Sequence, residues 1–276
     1  MRVSTVYKRF PALELLIYTS LNSAVLHKYV GKDILSTTLI IVSLLHLLFI
    51  FHLRVLDEIK DYKYDKKNHP DRPFVLSKKY RQFVFVLGIF CLLSMIILSY
   101  LLSGKSIMIF IGILLYTALM FKEFFIKNFY ERITVIYIFF HELVFFFLFL
   151  FFIYSLDGNF RLEYFFLSIF LVIPLLIIEI GRKMNYRFDS TGQKTIDTYF
   201  YIWGERKTIA LFGGLIMSAS MLSMSLPSYN IFSSVILFFL GSFFFVYGYK
   251  FRKSIEQNSQ MITVFCTLFV LFISLV

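Results

Sequence analysis

Along this chain, apolar stretches close to twenty residues long alternate with polar interruptions, and the alternation repeats from end to end. Nine such runs are readable, at 12–30, 34–54, 82–102, 105–121, 133–155, 163–180, 208–226, 230–249 and 260–276. Each predicts a membrane-spanning α-helix, since a hydrocarbon core about 30 Å thick takes roughly 20 apolar residues. Most interruptions are short, such as VGKDI, SGKS, SLDGNF and LPSYN. Two are long, at 55–81 and 181–207, and both follow a helix that runs from outside to inside. Polar chemistry is therefore expected at two places on one membrane face.

Composition agrees with the pattern. With 59% hydrophobic residues and 37 Phe, the chain belongs with all-α polytopic membrane proteins and reads as one membrane domain over 1–276. A net charge of +11 would otherwise suggest nucleic acid. The placement of the bases argues against that partner. With a cytosolic N-terminus, all 28 Lys and Arg fall on the inner side except Lys28, Lys32, Lys105 and Arg161. The positive-inside rule then predicts a cytoplasmic-membrane protein with its N-terminus in and its C-terminus out. Glu14 within the first run, with no small-residue cleavage pattern after it, argues against a cleavable signal peptide. Cys91 and Cys266 lie in predicted spans without metal-like spacing and read as packing residues.

The first long interruption opens with RVLDEIKDYKYDKKNHPDRP, residues 54–73. On a helix with Asp57 at 0°, Asp61 falls at about 40°, Arg54 at about 60°, Asp65 at about 80° and Glu58 at about 100°. Lys60, Lys63, Lys66 and Lys67 take the opposite side. A solvated helix laced by salt bridges would place opposite charges three or four residues apart. Here the close pairs are mostly like with like: Asp57 with Asp61, Glu58 with Asp61, Asp61 with Asp65. Such pairs cost a few tenths of a kcal/mol each in water and more at a dehydrated boundary. A divalent cation would relieve them. Hard carboxylate oxygens suit Mg²⁺, which takes one or two carboxylates and completes its shell with water and phosphate. An acidic face beside basic donors at a greasy boundary thus suits a lipid-like diphosphate.

At this point the residues resemble the UbiA family of membrane prenyltransferases, whose first acidic motif reads N-D-x-x-D-x-x-x-D followed by R-P. Asp57, Glu58, Asp61 and Asp65 match that spacing, and Arg72-Pro73 follows. Asp57 replaces the usual Asn and Glu58 the first Asp. A Tyr and a basic residue at the cytosolic end of the fourth helix match Tyr116 and Lys122 in YTALMFKEF. The second acidic motif is looser: IEIGRKMNYRFDSTGQKTIDTYFYIWG offers Glu179, Asn185, Asp189 and Asp197, with Arg182 and Lys183 among them. The chain looks like a divergent branch of that family. The resemblance implies nine transmembrane helices around a central cavity, with two cytosolic active-site loops. It further implies that Glu58, Asp61 and Asp65 hold one Mg²⁺ and that Asp189, with Glu179 or Asp197, holds a second. Arg72, Lys122, Arg182 and Lys183, with Tyr116 and Asn185, would meet the diphosphate, and Arg54 and Asp57 would assist. The implied activity is transfer of a polyprenyl group from its diphosphate to an unknown lipid or aromatic acceptor within the bilayer.

Other features have readings of their own. Asp61-Tyr62-Lys63-Tyr64-Asp65 and Asn185-Tyr186-Arg187-Phe188-Asp189 are locally alike, which suggests two half-sites facing one cavity. His141 and Glu142 lie within the fifth run, where ionisable groups are functional candidates, and a self-satisfied buried pair is the competing reading. His46 and His52 read as packing or interfacial residues. Glu14 and Asn22 either line a cavity or bond between helices. A cation-coupled secondary transporter of an anionic solute is the main alternative function, although transport sites lie near the membrane midplane whereas these acids end spans. An alcohol phosphatidyltransferase would need a D-x-x-D-G-x-x-A-R signature, and Tyr62 follows Asp61 instead. A noncatalytic scaffold is the remaining alternative.

Overall fold

The computed structural model describes residues 12–122, 134–188, 192–194, 198–226 and 230–275. Among them the regular structure is helical, and an isolated bridge between Phe188 and Lys194 is the one extended pairing. Contacts group the chain into two compact units, Met1–Asn159 and Phe160–Val276.

In the first unit, α1 (Ala12–Val30) stops at Gly31, whose φ of +73° is easy only for glycine. Helix α2 (Thr37–Lys60) begins under Ser36, whose hydroxyl accepts from the Leu39 amide at 3.4 Å. A single residue, Asp61, joins it to α3 (Tyr62–Asn68). Helix α4 (Pro73–Leu76) starts on proline, whose fixed φ and missing N–H suit a first turn. Helix α5 (Lys78–Leu102) is capped by Ser77, which accepts from the Tyr80 amide at 3.2 Å. After a 3-10 turn come α6 (Ile107–Phe121) and α7 (Thr134–Asp157). Helix α2 packs on α1 and α5, and α6 packs on α7.

Aromatic rings dominate this interior. The fully buried His46 sits among Tyr18, Phe145, Phe149 and Phe152, at centroid distances of 5.3 to 6.2 Å. His46 is thus a packing residue, as expected. Asn22 is also buried and donates to the Tyr18 hydroxyl at 3.0 Å within α1, whereas Glu14 is exposed. Cys91 and Cys266 are buried in helices as free thiols.

The second unit holds α8 (Leu162–Gly181), α9 (Tyr199–Trp203), α10 (Glu205–Ser223) and α11 (Ile231–Tyr247). A 3-10 turn, Gly248–Phe251, leads into α12 (Arg252–Gln257) and α13 (Ser259–Leu275). Helix α8 packs on α10 and α13, and α10 with α11 forms the most intimate pair. Small residues allow that approach, and the Ser223 and Ser234 hydroxyls bond across it at 2.7 Å.

Among the described residues each expected span coincides largely with a helix, and the chain is a polytopic membrane protein. Among the described residues six helical stretches are long and apolar enough to cross a bilayer: Thr37–Lys60, Lys78–Leu102, Gly104–Phe121, Ile138–Asp157, Leu162–Gly181 and Ile231–Gln257. The other three differ in degree. Helix α1 carries Glu14, Asn22, His27 and Lys28, α10 opens with Glu205-Arg206-Lys207, and α13 has only 17 residues. One expected boundary also moves: the second span runs on to Lys60, so Asp57 and Glu58 sit on the membrane helix itself.

Candidate functional site

The acidic stretch of the first unit rests on a small apolar platform. Val55, Phe74, Tyr80 and Val84 are buried together, with Ile59 and Tyr62 packed against them. Tyr62 meets Phe74 edge-on at 5.8 Å, and the Arg81 guanidinium lies 5.7 Å above the Tyr62 ring. Arg81 also donates to the carbonyls of Phe74 and Val75, at 3.1 and 2.9 Å. These contacts fix the direction of the acids, because Tyr62 stands between Asp61 and Asp65. Spacing alone does not disclose Arg81 or Tyr62 as supports, since both read as ordinary interfacial residues.

Two helices meet at Asp61, which keeps a helical backbone (φ −78°, ψ −5°). The Asp61 amide donates to the Asp57 carbonyl at 2.9 Å and the Asp65 amide to the Asp61 carbonyl at 2.8 Å, so these three acids stay one turn apart across the junction. The four acids are graded by depth. Glu58 and Asp65, at about 100° and 80°, are buried, whereas Asp57 and Asp61 lie at the exposed rim. Lys63, Lys66 and Lys67 point to solvent. Arg54 pairs with Glu58 at 3.4 Å, and Arg72 reaches back over seven residues to Asp65 at 2.5 Å. Arg72 was expected at a diphosphate, and the fold gives it a second task, holding Asp65.

Asp61 is the strained member of the group. Although its overall surface is exposed, the protein packed around it and the nearby Asp65 carboxylate raise its pKa above the ordinary aspartate value. The cations Lys60, Arg72 and Arg54 only partly offset this. The rim is thus short of positive charge, which is the electrostatic condition a cation would relieve. Among the described residues no three Asp, Glu, His or Cys side chains converge into a ready-made cage. Asp57 and Asp61 offer hard carboxylate oxygens at the rim, donors of the kind Mg²⁺ takes with water and phosphate oxygens completing its shell.

The Asp65 pair gives a first prediction. Arg72→Ala should leave a buried carboxylate without its guanidinium, a loss on the order of 3 kcal/mol. A fall in the detergent melting temperature is expected, with stability largely restored by Arg72→Ala combined with Asp65→Asn.

Other first-unit candidates have definite places. Tyr116 donates to the Phe140 carbonyl at 2.8 Å and so ties α6 to α7. Lys122 is exposed at the end of α6, its ammonium 5.5 Å over the Phe121 ring. His141 and Glu142 are half-buried on α7 and both are engaged, with Tyr18 in electrostatic reach of Glu142.

In the second unit, Glu179 is saturated by cations. Its Oε2 accepts from Arg182, by Nε at 2.8 Å and also by Nη2, while Oε1 lies 2.7 Å from the Lys183 ammonium. The Tyr199 hydroxyl donates to the same Oε1 at 2.8 Å, and the Tyr199 ring carries Lys183 at 4.8 Å. Trp203 stacks beneath Tyr199 at 4.5 Å and 7°. Tyr199 and Trp203 belong to this cluster although the motif does not mark them, and the aromatic run YFYIW, set off from Asp197 by Thr198, is their only signal. Asn185 donates to Ser259 at 3.3 Å. Asp189 and Asp197 lie outside the described residues.

The pentapeptide likeness between the two stretches does not extend to conformation. Residues 61–65 are helical or at a helix junction, whereas 185–188 are non-helical and end in the Phe188–Lys194 bridge.

The family model described as UbiA prenyltransferase family matches residues 16–275. No curated protein and no solved structure matches the chain.

Proposed function

The chain belongs to the UbiA prenyltransferase family, and from that premise we propose that it transfers a polyprenyl group from its diphosphate to a lipid or aromatic acceptor. The reading rests above all on one observation: a helical carboxylate face, short of positive charge at Asp61, stands where an apolar helix ends. Glu58, Asp61 and Asp65 are the proposed magnesium ligands of the first unit, with Asp57 beside them. Asp189 and Asp197 are the proposed acidic donors of the second unit. Glu179 serves there as the counter-ion that orders Arg182 and Lys183 for the diphosphate. When bound, magnesium neutralises the diphosphate and improves it as a leaving group.

The protein's own groups do the rest. In the second unit Arg182 and Lys183 are the proposed phosphate-binding cations and Asn185 contributes an amide; in the first unit Lys122 is a proposed phosphate-binding cation, and Arg54 and Arg72 hold Glu58 and Asp65 in place. Tyr116 sets the end of α6 that presents Lys122. The C1–O bond breaks with its electron pair leaving on the diphosphate, and the allylic cation left behind is stabilised by aromatic faces in a water-poor site. The acceptor then forms its bond to C1 and loses a proton, for which His141 and Glu142 are the proposed acceptors. Catalysis is placed on the cytosolic face of the cytoplasmic membrane, with the N-terminus inside and the C-terminus outside. Family membership does not favour the alternative of a cation-coupled transporter of an anionic solute.

The test uses purified protein in detergent with radiolabelled polyprenyl diphosphates and a panel of lipid and aromatic acceptors. Labelled product is expected with Mg²⁺ and at least about 100-fold less with EDTA. Equal transfer in EDTA would overturn the proposed metal role, and no product from any donor would overturn the transferase reading.

A further inference from the structure

An exposed aromatic row runs down α11 into the 3-10 turn that follows it. Phe239, Phe243, Tyr247 and Phe251 recur every four residues, and all are exposed. Phe243 lies 6.4 Å from Tyr247 and stacks on Phe251 at 5.8 Å and 27°, so these three rings form an aromatic track at the end of the helix, with Phe239 one turn before it. The track ends among bases. The Lys250 ammonium sits 5.3 Å over the Tyr247 ring, and the Arg252 guanidinium 4.8 Å over Tyr249. Lys253 is exposed on the next turn, and Arg206 and Lys207 are exposed at the start of α10. That helix start is tied in by Glu205, whose Oε2 lies 3.2 Å from the Arg252 Nε and whose Oε1 accepts from Tyr186 at 3.2 Å.

We infer that this face binds an anionic phospholipid, with its acyl chain along the Phe239–Phe251 track and its phosphate at Lys250, Lys253, Arg206 and Lys207. Three features select that occupant. The aromatic track asks for an apolar chain, so free phosphate would leave it unused. Basic residues at a membrane boundary favour anionic headgroups, and rings at headgroup depth suit an amphipathic molecule. A prenyl diphosphate shares the tail and the charge, but its magnesium would need open carboxylates. Glu205 is already held by Arg252 and Tyr186, which leaves Glu256 as a lone carboxylate on the helix that carries Arg252 and Lys253.

The test compares delipidated wild type with Lys250→Gln/Lys253→Gln and with a control, Lys78→Gln/Lys79→Gln, at exposed positions of the first unit. Melting temperatures are read in neutral detergent with added phosphatidylglycerol or phosphatidylcholine, and retained lipid is counted by native mass spectrometry. Phosphatidylglycerol is expected to raise the wild-type melting temperature by several degrees more than phosphatidylcholine. The Lys250/Lys253 variant should lose at least half of that gain and retain several-fold less lipid, and the control should keep both. Equal protection by phosphatidylcholine, or equal loss in the control, would overturn the site. So would magnesium-free farnesyl diphosphate displacing phosphatidylglycerol at equimolar concentration, which would make the face a substrate entry instead.

Discussion

Asp61→Asn is expected to lower magnesium-dependent prenyl transfer by about 100-fold or more, while making the metal-free protein more heat-stable than wild type. The two effects have one cause. In the folded protein the Asp61 carboxyl is raised above the ordinary aspartate value, first by the protein packed around it and then by Asp65. A carboxylate raised by folding contributes stability only while it is protonated, and that contribution is lost as pH rises through its folded pKa. At neutral pH the ionised group therefore works against the fold, and a neutral amide of the same shape relieves it. Wild type should gain stability as pH falls through the Asp61 pKa, and the variant should not show that rise. Added Mg²⁺ should raise the melting temperature of wild type and leave the variant unmoved. A variant that is less stable than wild type without metal would show that Asp61 supports the fold and does not wait for a cation.

The second large effect is expected at the α10–α11 crossing. A Cβ on Gly213 would lie 2.6 Å from the Phe245 nitrogen and 2.7 Å from the Gly241 oxygen, both backbone atoms that no side-chain rotation can move aside. Gly213→Ala should therefore force the helices apart and cost about 3 kcal/mol, at the upper end of overpacking losses. Helices in a bilayer lack a hydrophobic drive to associate, so lost close packing is not readily replaced. The adjacent Gly214 is the matched control, because a Cβ there meets nothing within 4 Å. Gly214→Ala should leave stability unchanged or raise it by up to about 1 kcal/mol through better helix propensity. Melting temperatures of the two single variants in one detergent decide the matter, and equal values would exclude the crossing as a tight contact.

Some of the site was legible because it depends on periodicity alone. The helical wheel of 57–65 set Asp57, Asp61 and Asp65 one turn apart, and the bonds from Asp61 back to Asp57 and from Asp65 back to Asp61 keep that spacing across the helix junction. It could not rank them by depth, since burial of Glu58 and Asp65 depends on the platform of Val55, Phe74, Tyr80 and Val84. Arg72 looked like a free donor in sequence because its partner, Asp65, lies across a turn whose path residues 66–71 alone do not dictate. The likeness of the Asp61 and Asn185 pentapeptides does not reach their backbone conformation, for a related reason. Local composition is shared, but one segment continues a long helix and the other follows its end.

By itself the sequence determined the class of molecule and the places of its chemistry. Apolar runs must be helical to satisfy their backbone in lipid, and charge must gather where those runs stop. The tertiary structure decided which charges are spent on one another. Glu179 is closed by Arg182, Lys183 and Tyr199, whereas the carboxyl of Asp61 at the rim is only partly compensated by Lys60, Arg72 and Arg54. Such pairings turn on distances of a few ångströms between groups whose spacing along the chain does not set their separation in space, and Coulomb energies change steeply over that range.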